Sequence, residues 1–386
     1  MNFYYNDFVF ELKEKRMKSI ERYIGVMSGT SMDGVDTALV EMDGNQIRLL
    51  AHADFPMPED LKQRLLNVCI GQSTNVQEIG ELDHLLGHLF ADAVIALLAQ
   101  SGYQACDIRA IGCHGQTVFH QPNGNTPFTM QLGDANIISS KTGIDTVADF
   151  RRKDMALGGQ GAPLVPAFHD TIFKSTDSSV VVLTIGGIAN ISVLRPQQKV
   201  LGYDTGPGNM LMDAWCFEQT GHKFDDNGMW ARSGKVHQPL LERLNQEPYL
   251  ALNAPKSTGR ELFNLPWLQQ ILAEFSLAAE DVQRTLCEYT ALTIATQVAH
   301  YQCGPAPELL LCGGGARNPL LVERLQAHLA HWRIMPTSDK GVDSDYMEAM
   351  AFAWLAQRRL HNLPSNLPEV TGASALASLG VVYFTH

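Results

Sequence analysis

Asp204 is the first candidate for catalysis in this sequence. It lies in the segment Gly202-Tyr-Asp-Thr-Gly-Pro-Gly-Asn209, which predicts the end of a strand, a tight turn and the start of a helix. A carboxylate at such a point can reach a ligand and act as a general base, an effect of roughly 10²- to 10⁴-fold in rate. The alternative is an Asp that only stabilises its own turn, through bonds to nearby backbone groups.

Glu348 is the second candidate acid. It follows Asp345 by three residues at the start of a predicted helix, and that spacing also fits a capping box with a purely structural role. If the end of this helix faces a ligand, Glu348 could bind a sugar hydroxyl or assist Asp204.

Three polar side chains, His114, Gln116 and Thr117, follow a predicted strand. Side chains that hydrogen-bond from a strand end suit a ligand rich in hydroxyls, such as a sugar, although a histidine satisfied within its loop is the alternative. Arg151 and Arg152 are among the few paired cations in an acidic chain. They could clamp a carboxylate or phosphate, and Arg152 is assigned to the substrate; salt bridges between domains are the alternative.

The stretch Tyr23–Val40 places a turn of glycine, serine and threonine between two apolar strands. Gly29 and Gly34 allow positive φ angles and a close approach of the backbone, so the turn can form a nest for phosphate oxygens. Asp33 and Asp36 would then be available to a metal ion. An ordinary hairpin is the competing interpretation.

Two further glycine segments strengthen the first. Gly186 and Gly187 again separate two apolar strands, and two phosphate cradles would fit one nucleotide. A third cluster, Gly313–Gly315, ends a buried-type strand and precedes a helix that can begin at Pro319. Its backbone, with Asn318, could pass close to an adenine or ribose. Strand–turn–strand twice, followed by strand–glycines–helix, resembles the actin/hexokinase/Hsp70-type ATPases.

The predicted fold class is therefore α/β: a two-domain, actin/hexokinase-like (ribonuclease H-like) ATPase fold with mixed sheets and an interdomain cleft. Residues 1–22 are expected to be an N-terminal extension that takes no part in the fold. Residues 23–148 with about 370–386 are predicted to form domain I, and residues 149–369 domain II. The glycine-rich and proline-rich tract 149–166 reads as the crossover between them.

Size and charge limit the function classes. A chain of 386 residues is long enough for two domains. The net charge of −12 argues against nucleic acid or an anionic membrane surface as partner. No apolar run is expected to be long enough to span a membrane, and the order of aromatic and basic residues at the start is the reverse of a secretory signal. Seven cysteines without a C-x-x-C pair suit a reducing cytoplasm. No P-loop, protein-kinase or G-x-S-x-G motif is present.

Six motifs closely resemble the bacterial anhydro-N-acetylmuramic acid kinases, and they extend over almost the whole chain from residue 23 to about 380. The motifs are GVMSGTSMDGVD at 25–36, GCHGQT at 112–117, GGQGAPL at 158–164, GGIAN at 186–190, DTGPGN at 204–209 and CGGGARNP at 312–319.

The resemblance implies a kinase that uses ATP and magnesium to open 1,6-anhydro-N-acetylmuramic acid and phosphorylate it, in cell-wall recycling. It implies that Asp204 is the catalytic base, Glu348 an active-site partner and Gly313–Gly315 the adenosine loop. It also implies that the ATP phosphates bind to the first turn, which comprises Gly29, Thr30, Ser31, Met32, Asp33, Gly34, Val35 and Asp36.

Two other functions compete with this expectation. One is a kinase for a free hexosamine, and the other is a nucleotide-switch protein related to chaperones or filament formers, since the same fold serves those functions too. The expected partner is the small-molecule sugar. The sequence leaves the oligomeric state open, with a homodimer as one candidate.

Overall fold

The computed structural model describes residues 20–29, 32, 34–44, 46–69, 73–254, 256–260 and 262–386. Within them the strands are β1 Glu21–Met27, β2 Gly34–Asp43, β3 Gln46–Pro56, β4 Ala110–Cys113, β5 Gln116–Gln121, β6 Phe128–Leu132, β7 Thr146–Ala148, β8 Val180–Ile185, β9 Ile188–Leu194, β10 Leu201–Pro207, β11 Glu308–Cys312, β12 Arg333–Pro336 and β13 Val381–Tyr383. The helices are α1 Glu59–Cys69, α2 Val76–Ser101, α3 Ala135–Thr142, α4 Arg152–Ala156, α5 Val165–Phe173, α6 Met210–Thr220, α7 Met229–Ser233, α8 Gln238–Leu244, α9 Leu265–Leu272, α10 Ala279–Ala299, α11 Pro319–His328, α12 Met347–Leu360 and α13 Pro368–Thr371. Short 3-10 helices lie at Ala105–Asp107, Asp226–Gly228, Pro248–Ala251, Gly314–Arg317 and Thr337–Lys340.

The two units of the chain have the same sheet topology. In the first unit the strand order is β13-β7-β4-β1-β2-β3, and in the second it is β10-β9-β8-β11-β12. In both, the first three strands form antiparallel pairs and the fourth lies parallel to the first. This repeated order, third-second-first-fourth-fifth, is that of the predicted actin/hexokinase-like fold, so the fold class with mixed sheets is confirmed.

The unit boundaries differ from the predicted domains. The first unit extends to Ile172 and resumes at Gly341, and the second is Phe173–Lys340. Residues 149–172 and 341–369, which the sequence argument assigned to domain II, therefore belong to the first unit. The physical reason is clear for α12, because it packs along β1, β4 and β2 of the first sheet.

Two glycines allow α12 to lie directly on that sheet. An added Cβ at Gly25 would collide with the carbonyl oxygen of Ala349, and one at Gly112 with that of Phe352. On β1, the neighbours of Gly25 are Ile24 and Val26, which belong to the core cluster shared with α2. Because successive residues of a strand point to opposite faces, α2 and α12 cover opposite faces of the first sheet. This packing brings Glu348, at the start of α12, into the first unit.

The long helix α2 is a core helix by its packing. Leu82, Leu86, Phe90 and Val94 are buried in the cluster that includes β1 and β2. Among the described residues, α2 is the helix with the length and composition to cross a membrane, yet more than half of its most apolar window is buried in the fold. Core helices meet the same criterion, so this finding is weak evidence for a membrane segment.

The second unit has a separate core. Strand β8 is central, with β9 on one side and β11 on the other, and Val181 and Leu183 are fully buried. Helix α10 packs nearby with Leu286, Tyr289 and Ile294 in the same cluster. A run of buried apolar residues on a central strand is expected where both faces of a sheet are covered.

Candidate active site

The first predicted phosphate turn joins β1 to β2, as expected. Thr30, Ser31 and Asp33 lie outside the described residues. The positive φ angle occurs at Met32 (53°), so the prediction of a positive φ at Gly34 is wrong. Gly34 is required for another reason: an added Cβ would lie 2.9 Å from the carbonyl oxygen of Phe55 on β3.

Two described side chains of this turn point into the core, and a buried glutamine holds the turn from outside it. Met32 and Val35 are buried in the apolar core, so only their backbone can serve a nucleotide. Gln116, predicted to bind the sugar, contacts the turn. Its buried amide accepts a hydrogen bond from Ser28 Oγ at 2.7 Å and donates to the Gly29 carbonyl at 3.4 Å. Gln116 therefore holds the turn in place, and its contact with the sugar stays a prediction.

Asp36 lies in an acidic environment. The register of the first sheet sets it directly opposite Asp54 on β3, and Tyr346 Oη donates to Asp54 Oδ1 at 2.8 Å. Burial raises the pKa of Asp36 to about 6, and the negative charges of Asp54 and Glu348 contribute further. Like charges directly opposite each other on neighbouring strands destabilise a sheet, so this arrangement is suited to binding a cation rather than to stability.

The predicted magnesium site is partly described. Magnesium is commonly bound by one or two carboxylates together with water and phosphate oxygens. Asp36 and Asp54 can provide the two carboxylates. No group of three or more His, Cys, Asp or Glu side chains within the described ranges is arranged to hold a metal ion alone. Asp54 was not predicted, because its position opposite Asp36 depends on a strand register that the sequence does not specify.

The Asp36 carboxyl should make stability depend on pH. Its folded pKa of about 6 exceeds the ordinary aspartate value of 3.8, so its contribution to stability is present below pH 3.8 and is lost as pH rises through about 6. We expect Asp36→Asn to have a higher Tm than the wild type above pH 6 and a similar Tm near pH 4. Thermal unfolding between pH 4 and 8 measures this, with Asp43→Asn on the exposed end of β2 as control. A difference in Tm that is the same at all pH values would contradict the assignment.

The buried His114 and the half-buried Arg151 form a pair in the first unit. Arg151 Nε and Nη2 lie 3.1 and 2.9 Å from His114 Nε2, and Arg151 Nη1 donates to the Gly161 carbonyl at 2.7 Å. Since a guanidinium cannot accept a hydrogen bond, His114 Nε2 must be unprotonated. Burial, with the charge of Arg151, holds the pKa of His114 well below its usual range. His114 is thus a neutral histidine that is held in place.

Arg151 rather than Arg152 is the arginine beside His114, which the sequence did not distinguish. Burial lowers the pKa of Arg151 to about 10, while the charge of Glu348 opposes that shift. Glu348 is exposed, yet desolvation by the surrounding protein raises its pKa, and the charge of Arg151 opposes that shift. Arg152 is 66% exposed and forms an ion pair with Asp149 at 2.6 Å.

A cavity of about 440 Å³ in the first unit is lined by His114 and Arg152, together with Asp83, Gln131 and Tyr383. Its walls are polar, as a ligand with several hydroxyls requires. Thr117 does not line this cavity, and its hydroxyl accepts a hydrogen bond from Gln131 Nε2 at 3.1 Å. Of the four residues assigned to the substrate, the structure therefore brings two to this cavity.

The second glycine turn lies between β8 and β9, as predicted. It is locked to the start of α6, because Asn209 N donates to the Gly186 carbonyl at 2.8 Å and Gly208 N to the Gly187 carbonyl at 2.9 Å. Gly208 is essential to this contact, since an added Cβ would collide with the Gly186 carbonyl oxygen. The turn thus keeps a fixed position relative to the segment that follows Asp204.

Asp204 itself lies within β10 and not on the predicted turn. The strand continues to Pro207, and its pairing with β9 is irregular between Asp204 and Gly206, so Thr205 is an extra residue. Such β-bulges redirect side chains and often occur next to active sites. Backbone Thr258 N donates to Asp204 Oδ2 at 3.0 Å, which fixes the carboxylate.

The third glycine cluster leads into a 3-10 helix before α11 begins at Pro319. Asn318 caps α11, accepting from Leu320 N at 3.1 Å and Leu321 N at 3.3 Å. Gly314, Gly315 and Asn318 line a cavity of about 440 Å³ in the second unit, to which Phe224, Asp213 and Gln283 also contribute. Burial, followed by the charge of Asp225, raises the pKa of Asp213 to about 6. Carboxylates of this kind can accept hydrogen bonds from ribose hydroxyls.

Comparison with known proteins now decides the family. The model of the family "Anhydro-N-acetylmuramic acid kinase" matches residues 21–385. The chain belongs to this family. An anhydro-N-acetylmuramic acid kinase of Vibrio parahaemolyticus is 70% identical over 95% of this chain and 99% of its own. One of Vibrio cholerae is 69% identical over 95% of this chain and 100% of its own.

Among solved structures, a ROK family glucokinase from Streptomyces griseus, in complex with glucose and AMPPNP, has a TM-score of 0.39 and 13% identity. It covers 87% of this chain and 99% of its own. The family assignment depends on the sequence relatives and not on this distant structure. As a member of the anhydro-N-acetylmuramic acid kinase family, the protein is a sugar kinase, a class of phosphotransferase.

Proposed function

We propose that this kinase uses ATP to open 1,6-anhydro-N-acetylmuramic acid and to phosphorylate O6, giving N-acetylmuramic acid 6-phosphate for cell-wall recycling. The observation that carries the proposal is Asp204, held at a β-bulge by Thr258 in a chain that matches the family over residues 21–385. The oxygen that receives the phosphoryl group is bonded to C1 in this substrate, so it carries no proton for a base to remove.

The proton therefore comes from water. Asp204 takes a proton from a water molecule, whose oxygen bonds to C1 as the C1–O6 bond breaks. The freed O6 bonds to the γ-phosphorus of ATP, and the bond between that phosphorus and its bridging oxygen breaks to release ADP. Each bond that forms replaces one that breaks. Positioning and stabilisation of charge are expected to provide most of the rate in phosphoryl transfer.

We assign the nucleotide to the glycine segments. The first turn from Gly29 to Asp36 and the second at Gly186 and Gly187 would hold the phosphates with backbone N–H groups. The cavity beside Gly314 and Gly315 would take the nucleoside. A magnesium ion, when bound, would neutralise part of the phosphate charge. Asp36 and Asp54 would hold this ion.

We assign the sugar to polar groups of the first unit. His114 and Arg152 share a polar cavity there, and Glu348 is proposed as a second acidic group for the reaction. Gln116 and Thr117 would act indirectly, through the first turn and through Gln131. A cytoplasmic location, where ATP is available, fits the seven free cysteines.

Isotopic labelling tests the reaction directly. With excess enzyme in ¹⁸O-labelled water, the product should carry ¹⁸O at C1 and none in its phosphate. The reaction should be stopped early and the sugar reduced, because the C1 oxygen of a free sugar exchanges with water over time. Product formed in ordinary water and then held in labelled water for the same time is the control. Label in the phosphate, or at C1 only to the level of the control, would contradict the proposed water attack.

A kinase for a free hexosamine is the competing enzyme function, and a nucleotide-switch protein is the competing non-enzymatic one. A free-hexosamine kinase would release ADP equally well with a sugar that has a 6-hydroxyl. A filament-forming switch would sediment in an ATP-dependent manner without any sugar. Sedimentation with and without ATP would also measure the oligomeric state.

A further inference from the structure

A loop of the second unit covers the outer edge of β10, where Asp204 lies. Strand β10 is at one end of its sheet, and an uncovered edge strand leaves N–H and C=O groups unpaired. Asp204 N donates to the Lys256 carbonyl at 3.1 Å, and two residues later Thr258 N donates to Asp204 Oδ2 at 3.0 Å. The same loop therefore holds both the backbone and the carboxylate of Asp204.

The side chain of Lys256 anchors this loop. It is only 8% exposed, and its Nζ donates to the carbonyls of Leu250 at 3.0 Å and Tyr249 at 3.3 Å. The Nζ also lies 4.8 Å from the centre of the Tyr249 ring, within the range of a cation–π interaction. Burial of an amine in this way lowers its pKa, so the contacts must offset a cost of desolvation.

Tyr249 completes the connection to Asp204. Its hydroxyl donates to the Asp204 carbonyl at 2.8 Å. Burial raises the pKa of Tyr249, and the charge of Asp204 raises it further. Lys256 thus joins the two segments that contact Asp204: the loop that carries Thr258 and the 3-10 helix that carries Tyr249.

We propose that Lys256 is a positioning residue for Asp204, which fixes the direction of the carboxylate by holding the loop and Tyr249 together. This inference rests on the proposed role of Asp204 as the base. A base must lie within hydrogen-bond reach of the proton it removes, and a displacement of about 1 Å can reduce the rate roughly 10²-fold. The contribution of Lys256 should therefore appear in the chemical step.

Replacing Lys256 tests the proposal, because a positioning role should lower kcat and leave KM for ATP unchanged. In Lys256→Met we expect kcat for the anhydro sugar to fall about 10- to 100-fold. KM for ATP should stay within about twofold, because the interaction that is lost acts only in the transition state. Lys256→Arg keeps the charge and the donors, so it should recover most of the lost kcat. Lys199→Met, at an exposed lysine of the same unit, is the matched control.

Tyr249→Phe is a second variant that keeps the test decisive if Lys256→Met does not fold. It removes the bond to the Asp204 carbonyl and keeps the ring beside Lys256, so kcat should fall by a smaller factor with KM for ATP unchanged. Wild-type kcat in both variants, or an equal loss in Lys256→Arg and Lys256→Met, would overturn the proposal.

The proposed function is tested separately in the same experiment by Asp204→Asn. If Asp204→Asn is inactive and Lys256→Met is not impaired, only the positioning role is wrong. If Asp204→Asn remains active, the assignment of the base is wrong and the role of Lys256 with it.

Discussion

Replacing Asp204 with Asn should lower kcat roughly 10²- to 10⁴-fold, the range typical for loss of a general base. Asn has almost the same shape as Asp, and its amide oxygen can still accept the hydrogen bond from Thr258 N, so the fold and ATP binding should be retained. ADP release and opening of the anhydro bond should fall together, because one proton transfer initiates both. Both rates are measured on the same samples, by a coupled assay for ADP and by chromatography of the sugar.

Asp339→Asn is the matched control, since this aspartate is exposed and belongs to the same unit. It should behave as the wild type in both assays. If Asp204→Asn still opened the anhydro sugar without consuming ATP, the two steps would not be coupled through this residue.

Replacing Gly208 with Ala should damage both stability and nucleotide binding. The added Cβ would collide with the Gly186 carbonyl oxygen and lie 3.1 Å from the Ile188 carbonyl carbon. All of these neighbours are backbone atoms, so no side chain can rotate away. Overpacking of this kind typically costs about 1–3 kcal/mol in the free energy of unfolding. The collision would also displace the second phosphate turn. If this costs a similar free energy in ATP binding, the affinity falls roughly tenfold or more, since 1.4 kcal/mol is a factor of ten.

Urea unfolding and calorimetric titration with ATP measure these two effects. Gly80→Ala is the control, because an added Cβ there meets open space on the exposed side of α2. That variant should be about 0.5–1 kcal/mol more stable than the wild type, the usual gain for Gly to Ala within a helix. Normal ATP affinity in Gly208→Ala would mean that the second turn does not bind the phosphates.

The overall fold was predictable because its signals are local. Glycine turns between apolar strands at Gly34 and Gly186, and the glycines before Pro319, indicate elements in a fixed order, and helices such as α2 and α10 have clear periodicity. The division into units was not predictable in the same way. It depends on Gly25 and Gly112, which allow α12 to pack on β1 and β4, strands that lie more than two hundred residues earlier in the chain.

The candidate site shows the same distinction. Asp204 and Glu348 could be selected from motifs, but the partners that give them an environment could not. Asp54 lies opposite Asp36 because of strand register, and Lys256 reaches Asp204 through a loop about fifty residues later in the chain. Gln116 could be selected from its position after a strand, but its contacts with Ser28 and Gly29 could not be predicted from the sequence. The bulge at Thr205 has no evident signal in the sequence.

In the proposed reaction the enzyme phosphorylates an anhydro sugar, and the proton that Asp204 removes comes from water. The most direct measurement is the rate of ADP release with 1,6-anhydro-N-acetylmuramic acid, compared with free N-acetylmuramic acid and N-acetylglucosamine at equal concentration. Rapid ADP release with the anhydro sugar and little above background with either free sugar is the expected result. Equal rates with the free sugars, which carry their own 6-hydroxyl, would contradict the assignment of the anhydro sugar as substrate.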